Sequence, residues 1–161
     1  MAKTATKKKV VRNTESVFND IRQAAERHRN DLPVTIDNLS VGDAYAQGDV
    51  ALEFAGETLD EALKHLGLKP SDIELDKDQS AQLAPGNTKG SRHILQDMSV
   101  VKIYRNKRGT AIDGPIIVFA GCDDGMVLTH PQHPWHFYKQ PGVYVVHYER
   151  SASEELKRRL D

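Results

Sequence analysis

The chain has 161 residues, with 22 lysines and arginines against 23 aspartates and glutamates, for a formal net charge of −1. That length suits one domain with its own core, and the single cysteine, Cys122, excludes an internal disulfide. The balanced charge gives no general reason to bind nucleic acid, and no run of about 18 apolar residues marks a membrane span.

Residues 1–12 carry Lys3, Lys7, Lys8, Lys9 and Arg12 without an acid. They read as a basic flexible tail, the one segment with the charge to touch nucleic acid or an acidic partner. No apolar core follows the lysines, so a secretory signal is not expected, and the cytoplasm is the expected compartment. An amphipathic helix is predicted from Thr14 to Arg29. Val17, Phe18, Ile21, Ala24, Ala25 and His28 fall on one stripe. That stripe must lie on the body of the fold, on an unknown protein partner, or on a second copy. "NDLP" ends the helix, because the residue before a proline avoids the helical region.

In "QGDVALEFAGE", Val50, Leu52 and Phe54 alternate with smaller or polar residues, the period of a half-buried strand. A helical insertion follows over about 57–67, with Thr58 and Glu61 as a capping box and Gly67 as the stop. Residues 69–90 read as loop. From His93 the strand signals crowd together: "HIL", "SVVKIYR", "PIIVFAG", "MVLTH", "WHFYK" and "VYVVHYER", with turns at "NKRG", "CDDG" and "QPG". "PIIVFAG" is apolar throughout, as in a strand buried on both faces. Ser151 and Glu154 can cap a last short helix. The expected fold is α+β: a small β-barrel or β-sandwich with an N-terminal amphipathic helix and short additional helices. Residues 13–161 would form one domain, its β-rich body over about 47–150.

Three of the seven histidines stand at His130, His133 and His136, separated by Pro131 and Pro134. Such spacing favours polyproline II, whose rise of about 3.1 Å per residue would set neighbouring histidines roughly 9 Å apart. One zinc holds nitrogens at about 2.0–2.1 Å, so the segment must bend or recruit a histidine from elsewhere. His93, after a glycine-rich loop, is the expected recruit, provided its strand neighbours "VYVVHYER". Asp49, at the start of its strand, is the expected carboxylate. The candidate metal set is therefore Asp49, His93, His130 and His133, with His93 and His133 as candidate catalytic residues and zinc as the expected ion. His136, between Trp135 and Phe137, is expected along a sheet face. His28 and His65 are expected at the surface or an edge, and His147 has no expected partner.

"APGNTKGSRH" offers glycines for an anion, with Lys89 and Arg92 adding charge, and Arg150 is a third candidate anion contact. It is not a Walker A loop, since lysine precedes glycine and a strand follows. Dinucleotide, C-x-x-C, H-E-x-x-H and G-x-S-x-G motifs are absent.

These residues carry a resemblance. Gln47-Gly48-Asp49-Val50, Gly90 with His93, His130 with His133, and Gly142, Tyr144, Val146 and Arg150 resemble the pattern of a group of short, uncharacterised bacterial and phage-encoded proteins. It spans about residues 47–150, less an insertion over 57–80. In that group the glycine loop carries two histidines, where this chain has Ser91 and His93. The resemblance implies a phage or mobile-element setting and no particular reaction. Two functional expectations follow. One is a histidine-lined site for a divalent metal or an anionic ligand, extending to a metal-assisted or histidine-dependent hydrolase. The other is a non-catalytic phage or mobile-element structural or adaptor protein, a virion component in the phage case, docking through its first helix and basic arm.

Overall fold

A computed structural model describes residues 17, 33–83, 93–107 and 114–148. The basic tail, the first helix apart from Val17, Lys89, Arg92 and Arg150 lie outside the described residues.

The described strands are β1 (Val34–Ile36), β2 (Ala44–Gln47), β3 (Val50–Gly56), β4 (Ile73–Leu75), β5 (Ile94–Leu95), β6 (Val101–Asn106), β7 (Ile116–Phe119), β8 (Met126–Thr129), β9 (His136–Tyr138) and β10 (Gly142–Tyr148). Helix α1 (Leu59–Leu66) and two 3-10 turns, Pro70–Asp72 and Met98–Val100, complete them. The strands form two sheets, ordered β1-β9-β8-β5 and β2-β3-β10-β7-β6-β4. Neither closes on itself, so the β-rich body is built as two sheets and not as a barrel. Every pairing is antiparallel except β1 with β9.

One core joins the sheets. Ile36, Met126, Leu128 and Tyr138 from the smaller sheet meet Leu52, Phe54, Ile103, Ile117, Phe119, Tyr144 and Val146 from the larger. Alternation sends the intervening residues to the opposite face. There Ala55, Ile116, Val143 and Val145 pack against Ala62, Leu63 and Leu66 of α1. β3 is therefore buried at all seven positions, where the sequence suggests half burial. Its small residues, Ala51 and Ala55, make room for covering elements. Val17 is helical, fully buried, and packs on Ala51 with Ala44 and Ala46 alongside.

The ends of α1 follow their sequence signals. Thr58 Oγ1 accepts from the Glu61 backbone N–H at 3.2 Å, and Glu61 Oε1 accepts from Glu57 N–H at 3.0 Å. The carboxylate thus reaches one residue further back than the usual capping box. Gly67, at φ 71°, takes the left-handed stop. Strands β1, β2 and β4 fall where the sequence reads as turn or loop. They are three or four residues long, too short for a period to show, and Leu75 of β4 is half exposed. No described helix is long and apolar enough to cross a membrane.

Phe119 stands in a strand flanked on both sides and is 2% exposed. Phe119→Ala is expected to lower unfolding free energy by about 3–5 kcal/mol in urea denaturation. A near-neutral result would place β7 at an open face.

Candidate functional site

Three separate segments meet at one end of the two sheets. They are the β2–β3 turn, the residue before β5, and the chain between β8 and β9. The turn is Gln47-Gly48-Asp49. Gly48 adopts φ +65°, and a Cβ there would lie 2.7 Å from His133 Nε2 and 3.5 Å from His93 Cε1. Glycine meets both demands, the left-handed backbone and the close approach of two imidazoles.

Gln47 is buried, and its amide is fully committed. Nε2–H donates to the carbonyls of Leu128 and Pro134, each at 2.9 Å, which leaves Oε1 to face His93 Nδ1 at 2.9 Å. His93 Nδ1–H must therefore be the donor in that pair. Its Nε2 looks at Asp49 Oδ1, 3.0 Å away. His93 is fully buried, whereas the Asp49 side chain is 37% exposed, so the pair runs from interior to surface. The hydrogen bond to His93, working against partial burial, holds the Asp49 carboxyl below its ordinary pKa.

His130 reaches the site through sheet register. Ile94 of β5 sits opposite Thr129 of β8, so His93 and His130 are the next residues on each chain. The His93 and His130 ring centroids are 4.4 Å apart, and those of His130 and His133 are 4.6 Å apart. The proline segment thus bends away from the straight path that would hold its histidines apart. The expected neighbour of the His93 strand, β10, lies in the other sheet, and β8 takes that place. Gln132 N–H donates to His130 Nδ1 at 2.9 Å. Burial, followed by the proximity of His93 and His133, lowers the His130 pKa to about 4, with Asp49 acting the other way.

The structure brings together Asp49, His93, His130 and His133. Lys89, Arg92 and Arg150, the candidate anion contacts, lie outside the described residues. Among the described residues no group of three or more His, Cys, Asp or Glu side chains is placed so as to hold a metal ion. The formed element is the His93–Asp49 pair, with exposed His133 over the same turn. His136 is buried in β9, with Nδ1 3.4 Å from the Tyr138 hydroxyl.

A second polar cluster escapes the sequence reading. Glu53, fully buried in β3, accepts from His147 Nε2 at 2.7 Å and from His65 Nε2 at 3.1 Å. His65 is thus half-buried, with its side chain turned inward to tie α1 to the sheet. Burial raises the Glu53 carboxyl pKa, and the two imidazole hydrogen bonds more than reverse it, leaving it below its ordinary value. The available signal was the lone acid in "VALEFAG", on the same side as His147 across the β3–β10 pair.

Burial, then the nearby His93 and His133, lowers the His136 pKa from 6.5 to about 4. Between those values the unfolded chain takes up a proton that folded His136 refuses. Its contribution to stability is complete above pH 6.5 and is lost as pH falls toward 4. In chelator-treated protein, His136→Phe should therefore gain on the wild type by about 1–3 kcal/mol between pH 7.5 and 4.5. Denaturant titrations at the two pH values check this, and a constant difference would contradict it.

No family model, curated protein or solved structure matches the chain.

Proposed function

We propose that the chain is a divalent-metal-binding domain, with zinc the first candidate, held by His93, Asp49 and His133 at the open end of a β-sandwich. One observation carries this reading. Gln47 fixes the hydrogen of His93 on Nδ1, so the Nε2 lone pair faces a carboxylate oxygen at 3.0 Å. Two lone pairs at that distance repel unless a cation lies between them, either a second proton or a metal ion. Gln47 also supplies what a ligating histidine ordinarily has, a partner for its other ring nitrogen that sets tautomer and orientation. Metal bonds of about 2.0–2.1 Å accommodate two ligand atoms roughly 3 Å apart when they meet near a right angle.

Such a site, reached from solvent past Asp49 and His133, would supply a metal-activated water, so the function fitting it best is metal-assisted hydrolysis. Adaptor function has less support. Val17 of the first helix turns inward onto Ala51, which leaves that residue no part in docking a partner.

The test is calorimetric titration of Zn²⁺ into chelator-stripped protein that carries no histidine tag. Wild type should bind one ion saturably. His93→Ala and Asp49→Asn should abolish binding. Gln47→Leu should weaken it by about 10–100-fold, the usual effect of losing a ligand's orienting partner. Gly48→Ala, which crowds His133 off the turn, should weaken it as well. Absence of saturable uptake by the wild type would assign the bridging cation as a proton and the pair as an ion pair.

A further inference from the structure

We propose that His130 is not a ligand but the hydrogen-bond donor of this site, binding an anionic oxygen of a phosphate or carboxylate group carried by the substrate. This rests on the metal reading above. The argument begins with the Gln132 backbone N–H, which donates into His130 Nδ1 at 2.9 Å. A backbone amide cannot exchange donor for acceptor, so the Nδ1 lone pair is occupied and the ring hydrogen resides on Nε2. A ligating nitrogen must offer a lone pair to the ion, and Nε2–H has none to offer.

The ring is also held in place. His130 is 5% exposed and lies between the His93 and His133 rings. Rotating it would break the Gln132 bond and disturb both contacts. Its Nε2–H bonds to none of the described residues, so that donor is available to a ligand. The outcome is an immobilised N–H beside the His93–Asp49 pair, directed by the fold and not by a bound group. A donor preset in this way stabilises a negative oxygen without reorganisation.

Charge sets the order of events. Asp49 repels an anion from the metal-free site, and a divalent ion bound to Asp49 reverses that repulsion. Anion binding should follow metal binding and be undetectable without it.

Cobalt-loaded protein provides the test, because its visible spectrum reports both metal uptake and an incoming anion. Wild type, His130→Gln and His130→Ala are each titrated with Co²⁺, then with inorganic phosphate and, separately, acetate. All three should take up Co²⁺ with similar affinity. At least one anion should bind the loaded wild type, and the anion that binds identifies the oxyanion class. His130→Gln keeps an N–H at the Nε2 position and should retain that binding. His130→Ala should weaken it about tenfold or more, as for a lost hydrogen bond to a charged group. Long-range proton–nitrogen spectra of the metal-free wild type should show His130 protonated on Nε2, which tests the assignment without any variant having to fold. A wild type that takes up no Co²⁺ overturns the metal reading and this one together. Uptake by the wild type with loss of Co²⁺ from His130→Ala overturns this one alone, as does unchanged anion affinity in His130→Ala, failure of both anions to bind, or the opposite tautomer.

Discussion

The amide of Gln47 holds the site together. It leaves the end of β2, in the larger sheet, and reaches the carbonyl of Leu128 in the smaller one and that of Pro134 in the segment leading into β9. Those two bonds stitch the sheets at the end where the histidines gather, and they also orient the amide so that only its oxygen faces His93. A glutamate here would lack the donors for either carbonyl. An apolar residue would remove both of these bonds and the partner of buried His93 Nδ1, and a buried polar group left unsatisfied costs about 1–3 kcal/mol. The tautomer of His93, and with it the meaning of Asp49 beside it, follows from this one side chain.

β3 separates two polar systems that share a strand. At its start, the turn offers Asp49 toward solvent. Midway along, Glu53 points into the layer between the larger sheet and α1, where it is fully buried. A buried carboxylate is tolerated only when hydrogen-bonded, and His65 and His147 each take one of its oxygens. The two clusters contrast in kind. Glu53 has an imidazole on each oxygen inside the fold and reads as internal architecture, whereas the His93–Asp49 pair runs out to solvent, where we propose that a metal ion joins it.

Much of this was legible in the sequence where local chemistry decides. The cap at Thr58, the stop at Gly67 and the continuous apolar strand at Ile116–Phe119 are local signals, and each gives the element expected. Asp49, His93, His130 and His133 could be named together because histidines flanked by glycine and proline turns sit at strand ends. Register was not legible. Nothing in "HIL" says that it pairs with "MVLTH" rather than "VYVVHYER", and that choice sets which histidines touch. The tautomers were equally hidden, since they depend on Gln47 and on the backbone of Gln132. Glu53 was missed because a single acid among apolar residues reads as a solvent face. Its partners lie 12 and 94 positions away, and only the folded chain shows that the other face is covered.

The way the strands are joined bears on how the protein comes to be. The pair made by β3 and β10 and the parallel pair made by β1 and β9 both connect opposite ends of the described chain. Gln47 finds its carbonyl partners 81 and 87 residues downstream. On a ribosome, β2 and β3 can pair with each other, but β1 and the free edge of β3 would emerge long before β9 and β10 exist to cover them, and the loops to be closed are long. High contact order of this kind slows folding into the millisecond-to-second range. Until β8 to β10 arrive, the early strands present unpaired edges, open to association with other chains. The candidate site, assembled from the turn after β2 and the segment after β8, is therefore a late product of folding.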